Sequence, residues 1–391
     1  MFVSNRIHLY NRRKMEKGVL MVKVIVIGGG ILGASTAYHL AKKGAEVTII
    51  DRQDDGQATA ASAGIICPWL SQRRNKAWYS LAKAGAAYYP ILVEELQRDG
   101  LTDIGYRKVG AISLHTEHKK LEKMLERGRM RKEDAPEIGE LHLLSFEETK
   151  RKFPFVKDGY SSVFVEGAAR VDGRKLRDSL IEAAKKVGAH VVYGSALPIV
   201  EECNIVAVEV NGCLYKADRF IVAAGAWAND FLETLNLKMK VSGQKAQIIH
   251  LVAENDQTED WPVVMPPTDQ YIVPFEGGKI VIGATHEDGK EFFTSPTAGG
   301  VHEVLDKALT VCPDLSNTVF EEVRTGFRPF TPNFLPVIGQ LPNYPNAFIA
   351  NGLGASGLTV GPFLGKQLSN IALQKEIDID LSLYDVSQAF E

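Results

Sequence analysis

The apolar pattern near the start of the chain predicts a strand, a helix and a second strand in close succession. Residues 24–27 are a continuous β-branched run, which is typical of a strand buried on both faces of a parallel sheet. Apolar positions with helical spacing follow through Leu40 and Ala41, and Gly44 supplies a C-cap. Residues 46–50 form the second apolar run. The pattern therefore predicts a buried strand–helix–strand unit.

The turn between the first strand and the helix is rich in glycine. Gly28, Gly30 and Gly33 match the spacing G-x-G-x-x-G, and Asp51 follows Gly33 by 18 residues at the end of the second strand. In such a unit the first glycine makes a tight turn, the second lets backbone N–H groups approach a pyrophosphate, and the third allows close helix–strand packing. The helix N-terminus attracts phosphate, and the acid binds ribose hydroxyls. The unit therefore predicts dinucleotide binding.

A second glycine-rich turn, at residues 352–357, repeats the same spacing after a predicted strand at 347–350. A helix is predicted over 358–373, but no second buried strand follows, because residues 376–380 are acidic. A second complete dinucleotide unit is therefore not predicted. We expect instead that this turn lines a cofactor already bound by the first unit, with the helix N-terminus directed at it.

Composition and charge restrict the class of protein. The 391 residues are 45% hydrophobic and 24% charged, which is typical of a globular protein of two or three domains. Lys and Arg total 45 against 48 Asp and Glu, so the net charge of −3 gives no reason to expect nucleic-acid binding. Four cysteines without CxxC spacing indicate reduced thiols in a cytoplasm, and no metal site is predicted.

The first twenty residues are polar and basic, and we expect a disordered extension there, with Met21 as a candidate natural start. Residues 24–41 form an uncharged stretch, and hydropathy alone would assign a stretch of this length to a membrane helix. The successive glycines at 28–30 favour a buried strand and turn instead. No transmembrane segment is predicted, while peripheral membrane contact and oligomer formation stay open.

Further motifs resemble the D-amino acid oxidase-like family of flavoproteins, which includes glycine oxidase, sarcosine oxidase and the D-amino acid dehydrogenases. The resemblance begins with the first glycine turn and with Asp51 and Arg52, and it extends to about Leu373. The other matching segments are residues 60–65, 171–192, 221–227, 271–274, 282–285, 326–333, 335–339 and 352–357. Because these separate motifs occur in the family's order, the resemblance covers nearly the whole chain.

The resemblance implies an α/β fold, in which a Rossmann-type FAD-binding domain is joined to an α+β substrate domain with a mainly antiparallel sheet. The FAD-binding domain is expected to be discontinuous, because its first glycine turn is N-terminal and its second is C-terminal. The predicted ranges are 21–85, 146–238 and 322–375 for the FAD-binding domain, 86–145 and 239–321 for the substrate domain, and 376–391 for a C-terminal tail.

The cofactor implied by the resemblance is noncovalent FAD. Sarcosine oxidase-like members link flavin to a cysteine just before the Arg-Pro motif, where this chain has Gly326 and Phe327. The residues expected to contact FAD are Gly28, Gly30, Ile31, Leu32, Gly33, Asp51, Arg52, Ser62, Ala63, Gly64, Ile65, Val200, Ala224, Gly225, Trp227, Arg328, Gly352, Gly354, Ala355, Ser356, Gly357 and Leu358.

The activity implied by the resemblance is oxidation of an amino acid or secondary amine, of the D-amino acid, glycine or N-substituted glycine class. A hydride would pass from the substrate Cα to flavin N5, and the resulting imine would hydrolyse. Arg328 is expected to bind the substrate carboxylate, because its planar guanidinium can form two parallel hydrogen bonds with a carboxylate. Tyr271 is expected to offer its hydroxyl from a rigid strand. His286 and Glu287 follow a predicted hairpin and are expected at the surface.

The chain departs from the family pattern at two places, one relevant to the substrate and the other to the electron acceptor. The expected acceptor is oxygen or a quinone. Ala355 and Ser356 stand where glycine oxidase-like members have a second arginine, and Arg73 or Arg74 could compensate from a nearby loop. Val281 occupies the position of a lysine that speeds the reaction with oxygen in sarcosine oxidase-like members. We therefore expect slow reoxidation by oxygen and a preference for a quinone.

Two other functions stay open at this point. A flavoprotein reductase could take electrons from NAD(P)H bound at the 352–357 turn, and a flavoprotein could also serve as a noncatalytic redox or binding module. Arg328 and Tyr271 argue against the second of these. Anaerobic addition of NADPH tests the first, because it would bleach the flavin of such a reductase.

Overall fold

The computed structural model describes residues 21–254, 257–290 and 292–391, and the predicted extension at 1–20 lies outside the described residues. Within these ranges the strands are β1 (Lys23–Ile27), β2 (Glu46–Asp51), β3 (Ala63–Ile66), β4 (Tyr106–Lys108), β5 (Ala111–His115), β6 (Leu141–Leu144), β7 (Ser161–Val165), β8 (Ala169–Asp172), β9 (His190–Tyr193), β10 (Leu197–Glu201), β11 (Asn204–Val210), β12 (Cys213–Lys216), β13 (Arg219–Val222), β14 (Ser242–Val252), β15 (Val263–Met265), β16 (Tyr271–Pro274), β17 (Lys279–Gly283), β18 (Val319–Phe330), β19 (Val337–Gln340) and β20 (Ala347–Asn351).

The helices in these ranges are α1 (Ile31–Lys42), α2 (Lys76–Arg98), α3 (His118–Lys132), α4 (Phe146–Lys152), α5 (Gly173–Lys186), α6 (Ala228–Leu232), α7 (Ala298–Val311) and α8 (Gly357–Ala372). None of the described helices combines the length and the apolar character needed to cross a bilayer.

The predicted strand–helix–strand unit is confirmed as β1, α1 and β2. The two strands pair in parallel inside a six-stranded sheet with the order β19-β20-β13-β1-β2-β9. β9, β13 and β20 extend the sheet in parallel, whereas β19 runs antiparallel to β20. The carboxyl ends of the parallel strands therefore meet at one edge, where open α/β sheets bind their ligands.

Helices from the two ends of the described chain pack together beside this sheet. A Cβ built on Gly365 of α8 would lie 2.7 Å from the Cβ of Ser35 in α1, so only glycine allows this approach. The Ser35 hydroxyl also donates a hydrogen bond of 2.7 Å to the carbonyl of Pro362. The packing of α1 against α8 therefore fixes the N-terminal glycine turn relative to the C-terminal one.

A second sheet has eight strands in the order β18-β14-β17-β16-β15-β5-β7-β6. Its neighbours pair antiparallel except β15 and β5, which are parallel. Its apolar side packs with α7 around residues such as Ile249 and Ile282. The expectation of a Rossmann-type unit beside a mainly antiparallel sheet is confirmed.

The strand pairing of two segments differs from the predicted domain ranges. β7 falls within the predicted FAD-binding range 146–238, and most of β18 falls within 322–375, but both pair in the eight-stranded sheet. β18 pairs with β14 from Ser242↔Phe330 to Val252↔Val319. No local sequence pattern predicts this long-range pairing. We propose domain boundaries that follow the sheets, with β7 and β18 in the substrate domain.

The predicted C-terminal tail packs against the rest of the molecule. Tyr384 is buried, and its hydroxyl donates a hydrogen bond of 2.8 Å to the Ala77 carbonyl. Ala389 is also buried, and Phe390 forms an isolated antiparallel bridge with Met239. The tail is therefore part of the folded structure.

Candidate cofactor and substrate site

A cavity of about 370 Å³ opens where the parallel strands of the six-stranded sheet end. Its wall includes residues at or just after the carboxyl ends of β1, β2, β9, β13 and β20, and it continues to side chains of the eight-stranded sheet. The residues that mark these strand ends are Ile27, Asp51, Gly194, Ala223 and Asn351. The two sheets thus meet at one binding site.

The first glycine turn forms a cradle that side chains would fill. Gly28 has φ of +102°, and a Cβ there would lie 2.4 Å from the carbonyl oxygen of Ala223. A Cβ on Gly33 would lie 1.8 Å from the carbonyl oxygen of Gly28, so this glycine allows the helix to pack on the strand. A Cβ on Gly30 meets nothing closer than Thr59 Oγ1 at 3.5 Å, because Gly30 faces the cavity. The first N–H groups of α1 are therefore approachable from the cavity.

Asp51 stands beside this turn with one acceptor position left. Its Oδ2 accepts from the N–H of Gly29 at 2.5 Å, and its Oδ1 accepts from the N–H of Gln53 at 2.6 Å and from Gln57 Nε2 at 3.0 Å. A carboxylate offers about four lone-pair sites. Asp51 can therefore still accept one hydrogen bond from a ribose hydroxyl.

Arg52 crosses the same wall of the cavity between two carboxylates. Its Nε donates to Asp54 at 2.9 Å, and its Nη1 donates to Asp230 at 2.8 Å, and all three side chains line the cavity. The two ion pairs fix the guanidinium, so it forms a rigid part of the wall rather than a mobile cation.

Residues 61–65 of the small-residue segment line another wall of the cavity. Thr59 joins it to the glycine turn, because its Oγ1 accepts a hydrogen bond of 3.0 Å from the N–H of Ile31. Ser62 donates to the carbonyl of Thr59 at 2.8 Å. A Cβ on Gly64 would lie 2.4 Å from the carbonyl oxygen of Val171, so a larger residue would push this strand off β8.

The second glycine turn reaches the cavity from the end of β20. The Asn351 side chain ties it to the turn after β13, because Nδ2 donates to the Gly225 carbonyl at 2.9 Å. Gly354 has φ of +52°, and a Cβ there would lie 2.3 Å from the Phe330 ring. Gly357 begins α8 and lines the cavity, so the N-terminus of that helix is directed at the site as expected.

Arg328 and Tyr271 meet at the part of the cavity formed by the eight-stranded sheet. Arg328 lies on β18, opposite Gln244 of β14, and its Nη1 donates to Gln244 Oε1 at 3.5 Å. Burial raises the pKa of Tyr271, and the neighbouring Arg328 guanidinium partly offsets that rise. The phenol is therefore protonated at neutral pH and can donate a hydrogen bond beside the guanidinium.

His286 and Asp269 complete this polar corner. His286 Nδ1 lies 3.7 Å from Asp269 Oδ2, and Asp269 also pairs with Lys307 at 3.0 Å. Burial, followed by the Arg328 guanidinium, lowers the pKa of His286 below its ordinary 6.5. Burial alone would raise the pKa of Asp269, but the hydrogen bond from Lys307 holds it below its usual value. At neutral pH the corner thus contains a neutral imidazole and an ionised carboxylate.

A family model described as "FAD dependent oxidoreductase", named DAO, matches residues 23–371. The chain belongs to this family.

Relatives of known sequence and structure agree with this assignment. The chain is 55% identical over 370 residues to "Uncharacterized oxidoreductase YurR" of Bacillus subtilis, covering 94% of this chain and 100% of that protein. It is 26% identical over 363 residues to the glycine oxidase of the same organism, covering 92% and 95%. Among solved structures, iminodiacetate oxidase (IdaA) from Chelativorans sp. BNC1 matches with a TM-score of 0.90 and 41% identity, covering 93% and 98%. Glycine oxidase from Geobacillus kaustophilus matches with a TM-score of 0.82 and 26% identity, covering 94% and 99%.

The cavity fits the FAD that DAO-family members use. The Gly30 cradle leaves room for a pyrophosphate at the N-terminus of α1, and Asp51 retains one acceptor for a ribose hydroxyl. Phe327 is fully buried in the wall and offers no group for a covalent link. When bound, FAD supplies the electron sink for amine oxidation. The residues of the two glycine turns and of segment 60–65 would hold it.

The structure brings most of the predicted cofactor residues to this cavity, with four exceptions. Gly33, Gly352 and Ser356 are absent from the lining; Gly352 packs against Thr331, and Ser356 accepts a hydrogen bond from Trp78 Nε1. Val200 lies on β10 in a separate three-stranded sheet and is 36% exposed. Val200 does not line the cavity, and we leave it out of the proposed cofactor contacts.

Several lining residues escaped prediction from the sequence. Ser195 and Ala196 follow β9, so the rule that parallel strands end at the site could have found them once β9 was recognised. Asp269 carries no local signal; it lines the cavity from the segment between β15 and β16, and β15 pairs with the distant strand β5. His286, expected at the surface, has a side chain 41% exposed and yet lines the cavity.

Proposed function

We propose that this protein oxidises a small amino acid whose nitrogen carries a substituent, an N-substituted glycine, at the carbon between nitrogen and carboxylate. Its membership of the DAO family already makes it an FAD-dependent oxidoreductase of amines or amino acids. The observation that supports the finer proposal is the convergence of Arg328 and Tyr271 on the cavity that the cofactor cradle lines.

The proposed binding mode starts with the substrate carboxylate. Arg328 would take it in a two-bond fork, and the protonated Tyr271 hydroxyl would donate a third hydrogen bond. Gln244, on the neighbouring strand, accepts a hydrogen bond from the Arg328 guanidinium. Because the Gln244 amide is uncharged, the positive charge of Arg328 is left for the substrate carboxylate. The substrate would then lie with its α-carbon turned toward the cofactor segment 60–65.

The substrate nitrogen must lose a proton before oxidation, because a cationic ammonium resists loss of hydride from the adjacent carbon. Neutral His286 would accept that proton, and Asp269, 3.7 Å away, would stabilise the imidazolium that forms. The 41% identity to a protein named iminodiacetate oxidase favours a secondary amine bearing a carboxymethyl group.

The experiment is an anaerobic screen in which flavin absorbance follows the addition of glycine, sarcosine, iminodiacetate, proline and D-amino acids. We expect sarcosine or iminodiacetate to bleach the flavin fastest. Bleaching by primary D-amino acids alone would reject the N-substituted class, and bleaching by NADPH would favour the reductase alternative.

Arg328→Ala tests the binding mode. Because a hydrogen bond to a charged group contributes about 1.5–3 kcal/mol, kcat/KM for the best carboxylate substrate should fall roughly 10–150-fold. Arg328→Lys should restore only part of the loss, since the charge returns without the fork. The matched substrate is the decarboxylated amine, whose turnover should barely change. Equal losses for both substrates, or loss of FAD, would show that Arg328 holds the fold or the cofactor instead.

A further inference from the structure

We propose that a second cavity in this protein binds a small anion through a carboxylate or phosphate group. The cavity has a volume of about 510 Å³ and lies between the start of α5, β14, the β16–β17 hairpin and β18. It is distinct from the cofactor cavity, although Ser62 lines both. The proposed oxidation makes no use of it.

Two arginines face this cavity from different elements. Arg174 comes from the first turn of α5 and Arg324 from β18. They lie near enough that the Arg324 charge, after burial, is the next cause that lowers the pKa of Arg174. Glu322, which pairs with Arg324, and Asp172 offset part of the repulsion between the two arginines, and an anion between them would reduce the remainder.

Ion pairs already satisfy most of the other basic groups around the cavity, but not Arg174. The existing pairs are Arg324 with Glu322, Lys175 with Asp103 at 2.9 Å, Lys279 with Glu321 at 3.8 Å and Arg107 with Asp260 at 2.6 Å. Within the described ranges no carboxylate forms an ion pair with Arg174, whose Nε donates to the Ala60 carbonyl at 2.9 Å. The rest of its guanidinium can therefore receive an anion.

His250 supplies an independent sign of a missing ligand. It lies on β14, lines the cavity and is 7% exposed, and its Nε2 atom is buried with no hydrogen-bond partner. Burial and the nearby arginines lower the pKa of His250 to about 4, so the ring is neutral at pH 7. A buried polar atom without a partner is costly. An anion accepting from Nε2–H would remove this cost.

A cation fits the same place poorly. His250, Glu321 and Glu322 have ligand atoms within 4.8 Å of one another, as a metal site would require. Arg324 already binds Glu322 and Lys279 lies 3.8 Å from Glu321. Arg174 adds a positive charge that Glu322 and Asp172 offset only in part. A metal ion would have to displace both pairs against this charge, so the arrangement favours an anion.

The test is calorimetric titration of the FAD-loaded protein with citrate and, separately, with inorganic phosphate, at constant ionic strength set with sodium chloride. We expect saturable binding of at least one probe at one site per chain. Arg174→Gln and Arg324→Gln should each weaken that binding roughly 10-fold or more, as expected for loss of a charge-assisted hydrogen bond. Arg98→Gln, an exposed arginine on α2 outside the cavity, is the matched control and should bind normally.

Arg324→Gln and one further variant, Arg328→Ala, keep the test able to contradict the proposal. Arg324→Gln leaves the Arg174–Ala60 hydrogen bond intact, so it tests the site even if Arg174→Gln fails to fold. Arg328→Ala should bind the probes normally, because its arginine lies in the other cavity. Absence of binding by both probes, binding unchanged by Arg324→Gln, or binding abolished by Arg328→Ala would overturn the proposal, and none of these results depends on the identity of the oxidised amine.

Discussion

At the scale of single residues, the site depends on backbone positions where a side chain has no room. Gly28 and Gly33 need glycine because protein atoms would collide with a Cβ, whereas a Cβ on Gly30 has room, and we propose that the cofactor occupies that room. The distinction matters for experiment, since only Gly30 can be changed with little direct cost to the protein's own packing.

Gly30→Val should therefore abolish FAD binding while leaving a folded protein, because the new side chain projects into the pyrophosphate path. The measurement is the ratio of flavin to protein absorbance after purification, with circular dichroism as the check on folding. Gly299→Val, at a helix position with open space around the Cβ, is the control and should retain FAD. Normal flavin content in Gly30→Val would place the pyrophosphate elsewhere.

His286 governs a prediction about pH. If neutral His286 accepts the ammonium proton, kcat/KM falls as pH drops through its pKa, which lies below 6.5. His286→Gln should lower kcat/KM roughly 10²-fold or more at neutral pH and remove the acid limb that His286 contributes. Profiles of kcat/KM from about pH 5 to 9 measure both effects. His302→Gln, on the exposed side of α7, should leave the profile unchanged; an acid limb that persists in His286→Gln would assign the base role to another group.

At the scale of elements, the sequence predicted what is local and missed what is long-range. β1, α1 and β2 are adjacent in sequence, and hydrophobic periodicity with a glycine turn is enough to define them. By contrast, Val263 of β15 pairs with Ala111 of β5, and β18 pairs with β14. Such pairings depend on packing across the whole molecule, so local sequence patterns predict neither the strand partners of β18 nor the position of Asp269 in the cavity wall.

The prediction about the electron acceptor depends on Val281 of strand β17. Val281 is buried among Ala246, Ile248 and Ala284, and it lines the second cavity rather than the cofactor cavity. The family resemblance predicts that Val281 occupies the position of a lysine that assists the reaction with oxygen in sarcosine oxidase-like members. Reduced enzyme should therefore reoxidise much more slowly with air-saturated buffer than with a quinone. Stopped-flow absorbance of the flavin measures both rates. Reoxidation by oxygen as fast as turnover would contradict the prediction and give this chain the behaviour that the names of its oxidase relatives indicate.

At the scale of the whole molecule, a buried histidine couples stability to pH. His39 lies in α1, is 6% exposed and contacts the Tyr88 hydroxyl at 3.0 Å. Burial, with nearby lysines, lowers its pKa well below 6.5. The folded state thus keeps His39 neutral while the unfolded chain protonates it below about pH 6.5. The unfolded state then binds more protons, so stability falls as pH falls.

His39→Gln should reduce this acid sensitivity. A single group of this kind changes the free energy of unfolding by at most about 1.4 kcal/mol per pH unit. Chemical denaturation at pH 7.0, 6.0 and 5.0 should show a smaller decline for His39→Gln than for the unmodified protein. His190→Gln replaces an exposed histidine and should keep the original decline. Parallel declines in all three proteins would mean that His39 titrates alike in both states.

The six-stranded sheet contains β1 from the N-terminal part of the chain and β20 from the C-terminal part. A hydrogen bond between Ser35 and Pro362 joins α1 to α8. A nascent polypeptide still lacking its last segment has neither the second glycine turn nor the helix that braces the first. We therefore expect the complete cofactor cradle to form only after α8 has been synthesised, so that FAD binds late relative to the synthesis of the first glycine turn.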